Sequence, residues 1–286
     1  NLDRANLNSA VITLSALKSI DKGKWEGKDL AWKIKEWGSR GGKFILNGAD
    51  LEGLDLSGAD FTEADLRYTK LTGANLTGAE LAKANLLDTN LCGANLKGAD
   101  LNGAGVNKRA LLTLNTGEWS SPAVPLEQRI RAWAERGGEI YFDREDLSGL
   151  DLSGINLKKA NLEGSDLRRT NLKGAILLGA KLWGANLEEA QLQGAIMDKK
   201  AILTLTTGEW AVSRSFSEKL RALVLKGIKF DFHQEDLSRL DISRVNLTEA
   251  NLAGANLEKA NLDGSNLEGS DLSGANLKEG HLVGAN

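Results

Sequence analysis

The stretch Ala49-Asp50-Leu51-Glu52-Gly53-Leu54-Asp55-Leu56-Ser57-Gly58-Ala59-Asp60-Phe61 decides the fold. A large apolar residue stands at every fifth position, and the phase holds through Leu66, Leu71, Leu76, Leu81, Leu86, Leu91, Leu96, Leu101 and Val106. Two positions before most of these centres stands a small residue, as at Ala59, Ala64, Thr69, Ala74 and Ala79. A period of five matches neither the helix period of about 3.6 nor the strand period of about 2. The stretch is therefore a repeat with a geometry of its own.

If each unit of five makes one straight side and then turns, the centre and the small residue can both point inward. Four such sides close a coil of about twenty residues, and stacked coils lie about 4.8 Å apart. Ala, Ser and Thr fit beside a stacked Leu where a second large side chain would overfill a densely packed interior. The Asp, Asn, Gly, Lys and Glu between them suit turns and a solvated outer wall.

The tandem A-(D/N)-L-x-x pattern resembles the pentapeptide-repeat proteins. The resemblance covers 49–106, 146–197 and 236–286. It implies an all-β solenoid, a right-handed quadrilateral β-helix with Leu or Phe as the inward centre residue. The segments between the runs do not follow the family pattern. They read as short α-helical hairpins that interrupt and cap the solenoid.

The layout expected is a tail of a preceding run over 1–12, a helical insert over 13–43 and a first run over 44–106. A second insert over 107–139, a second run over 140–197, a third insert over 198–229 and a third run over 230–286 follow. The inserts align with one another: Ser15 to Trp25, Arg109 to Trp119 and Lys200 to Trp210 match without gaps. Each opens on a capping residue, Thr13, Asn107 or Asp198, and a C-cap is expected at Gly23, Gly117 or Gly208. A second helix carries Leu30, Ile34 and Trp37, then Leu126, Ile130 and Trp133, then Phe216, Leu220 and Leu223, and Ser215 to Glu218 fits a capping box. Leu54, Leu150, Ile155, Leu240 and Val245 stand where Ala is usual, so each opening coil is expected to receive the apolar stripe of the preceding helix.

Composition narrows the function. The 286 residues carry a formal charge of −3, too small to name a partner by sign. One cysteine, Cys92, forms no intrachain disulfide. No apolar run approaches the length of a membrane helix and no signal peptide opens the chain, so a cytoplasmic location is expected. The chain starts and stops within repeats, at Ala5-Asn6-Leu7 and Gly284-Ala285-Asn286, and reads as a piece of a longer protein.

No phosphate loop, nucleophile elbow or zinc motif occurs, and His233 and His281 share no metal-ligand spacing. No catalytic residue, cofactor or metal is expected. The Asp and Asn before the centres recur on every side of the coil, which marks a turn role rather than a site. Trp25, Trp119 and Trp210 read as the closing residues of the hairpin cores. Trp183 differs: it follows centre Leu182, belongs on the outer wall near Leu178, and is either a candidate protein-binding residue, together with Leu178 and Leu87, or a ring packed against an adjacent insert. The expected function is a non-enzymatic protein-binding scaffold or regulatory module with no direct nucleic-acid contact. The alternative, which the resemblance supplies, is a DNA-mimicking gyrase-binding protein. That role needs an acidic wall, whereas Arg67, Lys70, Lys83 and Lys97 interrupt the first run and basic residues balance the acids of the second.

Overall fold

The structure is a computed structural model that describes residues 2, 5, 7–8, 10–116, 124–210 and 215–286. It forms two compact units, Asn1–Tyr141 and Phe142–Asn286. In both, parallel bridges join a residue to the one twenty positions later, as Asp50 to Lys70 and Asp60 to Glu80 in the first unit and Asp146 to Asp166 in the second. Twenty residues per coil and five per side make the coil four-sided.

Each side is held by main-chain bonds between coils. The Leu51 amide donates to the Lys70 carbonyl at 2.9 Å, and the Lys70 amide donates back to Ala49 at 2.9 Å. Each corner closes within itself, as where the Ala59 amide donates to the Leu56 carbonyl with Gly58 at φ 64°. The recurrent Asp and Asn find their cause here. The side chain of Asp50 accepts the amide of Glu52, Asn75 that of Thr77 and Asp146 that of Ser148, so each carboxylate or amide secures the turn after it.

Inside, the centres and the small residues are buried: Leu71, Ala74, Leu167 and Leu177 have no exposed surface. Thr69 and Thr89 are buried as well, and their hydroxyls donate to the carbonyls of Leu46 and Leu66. A hydroxyl can therefore occupy the small-residue position without an unmet donor.

The inserts open on short helices, α1 (Leu14–Ser19), α3 (Lys108–Thr113) and α5 (Lys199–Thr204), capped by the side chains of Thr13, Asn107 and Asp198. They do not end on Gly23 or Gly208. Their C-caps are Ile20, Leu114 and Leu205, in extended conformation, and Gly23 and Gly208 instead open 3-10 turns; Gly117 lies outside the described residues. A buried cation makes the glycine cap unnecessary. Lys33 Nζ reaches the Lys18 carbonyl, Arg129 reaches those of Leu111 and Leu114, and Lys219 reaches that of Leu205 at 2.5 Å, satisfying the free end of each short helix.

The second helices are α2 (Leu30–Gly38), α4 (Leu126–Glu135) and α6 (Phe216–Leu225), with the Ser215 and Glu218 capping box formed. Each ends on a left-handed glycine, Gly41, Gly137 or Gly227, and a bond from the amide of Gly42, Gly138 or Ile228 to the carbonyl of Trp37, Trp133 or Leu223. Trp25 is fully buried edge-on to Trp32 and Trp37, Trp210 is buried too, and Trp119 lies outside the described residues.

The parallel ladder runs on across the inserts. β1 (Val11–Thr13) pairs with β2 (Lys43–Ile45), β3 (Gly105–Val106) with β4 (Glu139–Ile140), and β5 (Ile196–Met197) with β6 (Lys229–Phe230). The second and third inserts also substitute for a missing coil beneath the run before them. In the first unit, the Leu91 and Gly93 amides, which have no further coil below them, donate to the side chains of Thr113 and Asn115. Thr204 and Thr206 receive Leu182 and Gly184 in the second unit in the same way.

On the far side the second helix reaches the coil that follows. Lys35 contacts Asp55 and Ser57, and Arg221 contacts Ser243 at 2.8 Å, with Leu54 and Leu240 half-buried and Val245 buried. The Trp133 indole also makes a bond that the sequence did not foresee. It donates to the Ala104 carbonyl at 3.2 Å, so it anchors the insert to the run before it.

Candidate protein-binding wall

Register assigns every outward side chain. The residue before each centre lies mid-wall, and the two after it form a corner. Leu178 and Trp183 follow centres Leu177 and Leu182, so they occupy successive corners of one coil with Lys181 on the wall between them. Trp183 is 51% exposed, Leu178 and Leu87 are half-buried. Trp183 is fixed by its backbone: its carbonyl accepts the Gly164 amide and its neighbour Leu182 is tied to Thr204. The ring stands on a level of the solenoid whose backbone is tied by these bonds.

Leu87 belongs to the first unit. Its carbonyl accepts the Tyr68 amide at 3.0 Å, and Tyr68 is 57% exposed at φ 58°. The sequence reading passed over Tyr68. Its signal is the position two after a centre, where φ is positive and the residue is glycine or a polar one such as Glu63 or Lys83; an aromatic there projects from the corner.

The neighbouring corner of the second unit is charged. A cleft of about 340 Å³ is lined by Ser148, Arg168, Arg169, Glu188 and Glu189. Its charges cancel locally: Arg169 pairs with Glu189 at 2.7 Å, and Arg168 grips Asp166 at 2.6 Å. The Arg168 hydrogen bonds, with its charge, hold the Asp166 carboxyl below the ordinary range. Such satisfied pairs leave little unmet potential for a ligand.

Cys92 is half-buried with its Sγ 3.2 Å from Asn115 Nδ2, and His233 and His281 are exposed. Among the described residues no group of three or more His, Cys, Asp or Glu is placed to hold a metal, and no helix is long and apolar enough to cross a membrane.

The family model "Pentapeptide repeats" matches in eight copies over 45–81, 69–104, 146–184 and 236–286, more than half of the chain. No curated protein matches. Similar solved structures include HetL, a pentapeptide repeat protein involved in heterocyst differentiation regulation from the cyanobacterium Nostoc sp. strain PCC 7120. It is 26% identical, with 85% of this chain and 89% of that one covered and a TM-score of 0.22. A pentapeptide repeat protein of the Arabidopsis thaliana thylakoid lumen is 23% identical, covering 52% of this chain and 65% of that one, at a TM-score of 0.20. Rfr23 from the cyanobacterium Cyanothece 51142 is 26% identical, covering 50% and 62%, at 0.15. These superposition scores are low, so the assignment rests on the repeats themselves. The inserts fall outside the matched segments, while the runs carry the family's inward Leu, its turn-forming Asp and Asn and its four-sided coil: the chain belongs to the pentapeptide repeat family, and its fold is that family's right-handed quadrilateral β-helix.

Proposed function

We propose that the chain is a non-enzymatic scaffold or regulatory module whose rigid walls bind another protein, with Trp183 as anchor and Leu178 and Leu87 as further contacts. The observation that carries this reading is the half-exposed indole of Trp183 on a level whose backbone is tied on both sides. Trp gains more than most residues from burial at an interface, and a pre-ordered wall loses little entropy on binding. The family consists generally of structural and interaction modules, which agrees with it.

A DNA-mimicking gyrase-binding role is less well supported. Its acidic wall is interrupted by ion pairs between coils, such as Lys43 with Glu63 and Lys229 with Glu249, which neutralise the surface level by level. Unchanged gyrase supercoiling in the presence of the chain is the expected result.

A photo-crosslinking amino acid at position 183 or 178 is expected to capture a protein from the source cell, while one at Asn171 on another wall is not. Trp183→Ala should reduce that capture about tenfold or more, and should leave the melting temperature nearly unchanged. A large fall in melting temperature would show instead that the ring supports the fold.

A further inference from the structure

We propose that the wall bearing Ile176 and Ile196 docks an acidic protein segment that also presents apolar side chains. This rests on the scaffold reading above and adds the chemistry of the partner. The wall is built from three stacked sides, and Asn156, Ile176 and Ile196 are joined in one parallel ladder that continues to Lys229. All three occupy the outward position before a centre.

At that position the chain usually places Asp or Asn, whose side chain secures the next turn, as Asn156 does for Lys158. Isoleucine cannot accept that bond. At Ile176 the sequence therefore gives up a turn hydrogen bond, while Ile196 is followed by Met197 and α5 with no such turn; both put a half-buried β-branched side chain on the outer wall, with half-buried Leu178 at the adjoining corner. A single partly exposed apolar residue needs no explanation, but Ile176, Ile196 and Leu178 together form an apolar strip of half-buried side chains along this wall and its corner.

The rim supplies the sign of the partner. Lys173 stands at one corner of this wall, Lys158 and Lys159 at the other, and Lys181 on the next side; all four are exposed, and none has an ion pair among the described residues. Some other corner cations are paired between coils, as Arg169 is with Glu189 and Lys259 with Glu279 at 3.5 Å, and Lys229, which ends the ladder of this wall, is paired with Glu249. The carboxylate at the end of the wall, Asp198, is committed to capping α5. An apolar centre ringed by unpaired lysines matches a segment in which Asp or Glu alternates with Leu, Ile or Phe: the apolar contacts exclude water and the charges steer the approach. A nucleic acid would engage the lysines and leave Ile176, Ile196 and Leu178 uncovered.

The test is fluorescence anisotropy of the full chain with four labelled probes: a peptide of alternating Glu and Leu, the same peptide with Lys for Glu, polyglutamate, and a single-stranded DNA oligonucleotide. The Glu/Leu peptide is expected to bind best and to weaken as salt rises. Ile176→Asn, which copies the residue at 156, and the pair Lys158→Glu with Lys159→Glu should each weaken it about tenfold or more without changing the melting temperature. Absence of Glu/Leu binding, equal binding of polyglutamate or DNA, or binding unchanged in both variants overturns the proposal. A wall-dependent preference for the Lys/Leu peptide overturns the acidic partner alone and leaves the scaffold reading standing. That reading fails separately, if Trp183→Ala leaves cellular capture intact.

Discussion

Leu167→Asp, or Leu71→Asp in the first unit, is expected to abolish cooperative folding of the run that contains it. Both side chains are wholly buried. Each centre stacks between the centres twenty residues away, Leu147 and Leu187 for Leu167, and the buried hydroxyls beside it, Ser165 and Thr170, already donate to the Leu162 and Leu147 carbonyls, so an aspartate there enters a leucine stack without a committed partner. A buried carboxylate without a partner costs several kcal/mol or takes up a proton, and a domain has only about 5–15 kcal/mol of stability to lose. Circular dichroism on heating should show the transition lowered strongly or lost. Melting that matches the parent chain would mean that these residues do not face inward.

The second large effect is expected at Trp133. Its ring is fully buried, and its indole N–H donates to Ala104 in the closing coil of the run before. The ring lies directly over Gly138, where a Cβ would collide with it, and Trp37 covers Gly42 in the same way. In the third insert Leu223 and Ile228 stand at these positions, so side-chain volume moves from the helix to the residue after it. Trp133→Ala should cost about 3–5 kcal/mol, the range for buried aromatics. Hydrogen exchange should quicken first in the coil ending at Val106, because that coil loses its anchor. Gly138→Ile alone should also destabilise, while Trp133→Leu combined with Gly138→Ile should recover about 0.5–3 kcal/mol relative to the sum of the single changes. Strict additivity would show that the ring and the glycine are not coupled.

What was legible in the sequence is what depends on local chemistry or on strict period. The centres from Leu51 to Val106 gave the side length, and Asp50 and Asn75 gave the turns, because an Asx side chain secures a bond two residues on. Thr13, Asn107, Asp198 and Ser215 were readable as caps for the same reason. Lys33, Arg129 and Lys219 were not readable. A lysine or arginine on an amphipathic helix reads as solvated, and only the fold brings each one under the carbonyls of a short helix 14 to 18 residues earlier. This distant partner also explains why Gly23 and Gly208 are not C-caps.

Among the candidate site residues, Trp183 was legible from its place after a centre. The wall of Ile176 and Ile196 was not, since residues twenty apart join into one surface only when coils are stacked. Tyr68 lay hidden for a different reason: it interrupts the glycine position without disturbing the period of five.

Fold and site rest on one assignment, the alternation of outward and inward side chains, and adjacent residues test it most directly. Ile176 and Leu177 share one wall, the first half-buried and the second wholly buried. Thermal unfolding of Ile176→Asn and Leu177→Asn should be measured side by side. Ile176→Asn should change stability by no more than about 0.5 kcal/mol, as an outward substitution does. Leu177→Asn should cost about 3–5 kcal/mol, since it leaves a cavity and buries an amide without partners. Equal losses, or a larger loss at Ile176, would contradict the register on which the docking wall and the coil core both depend.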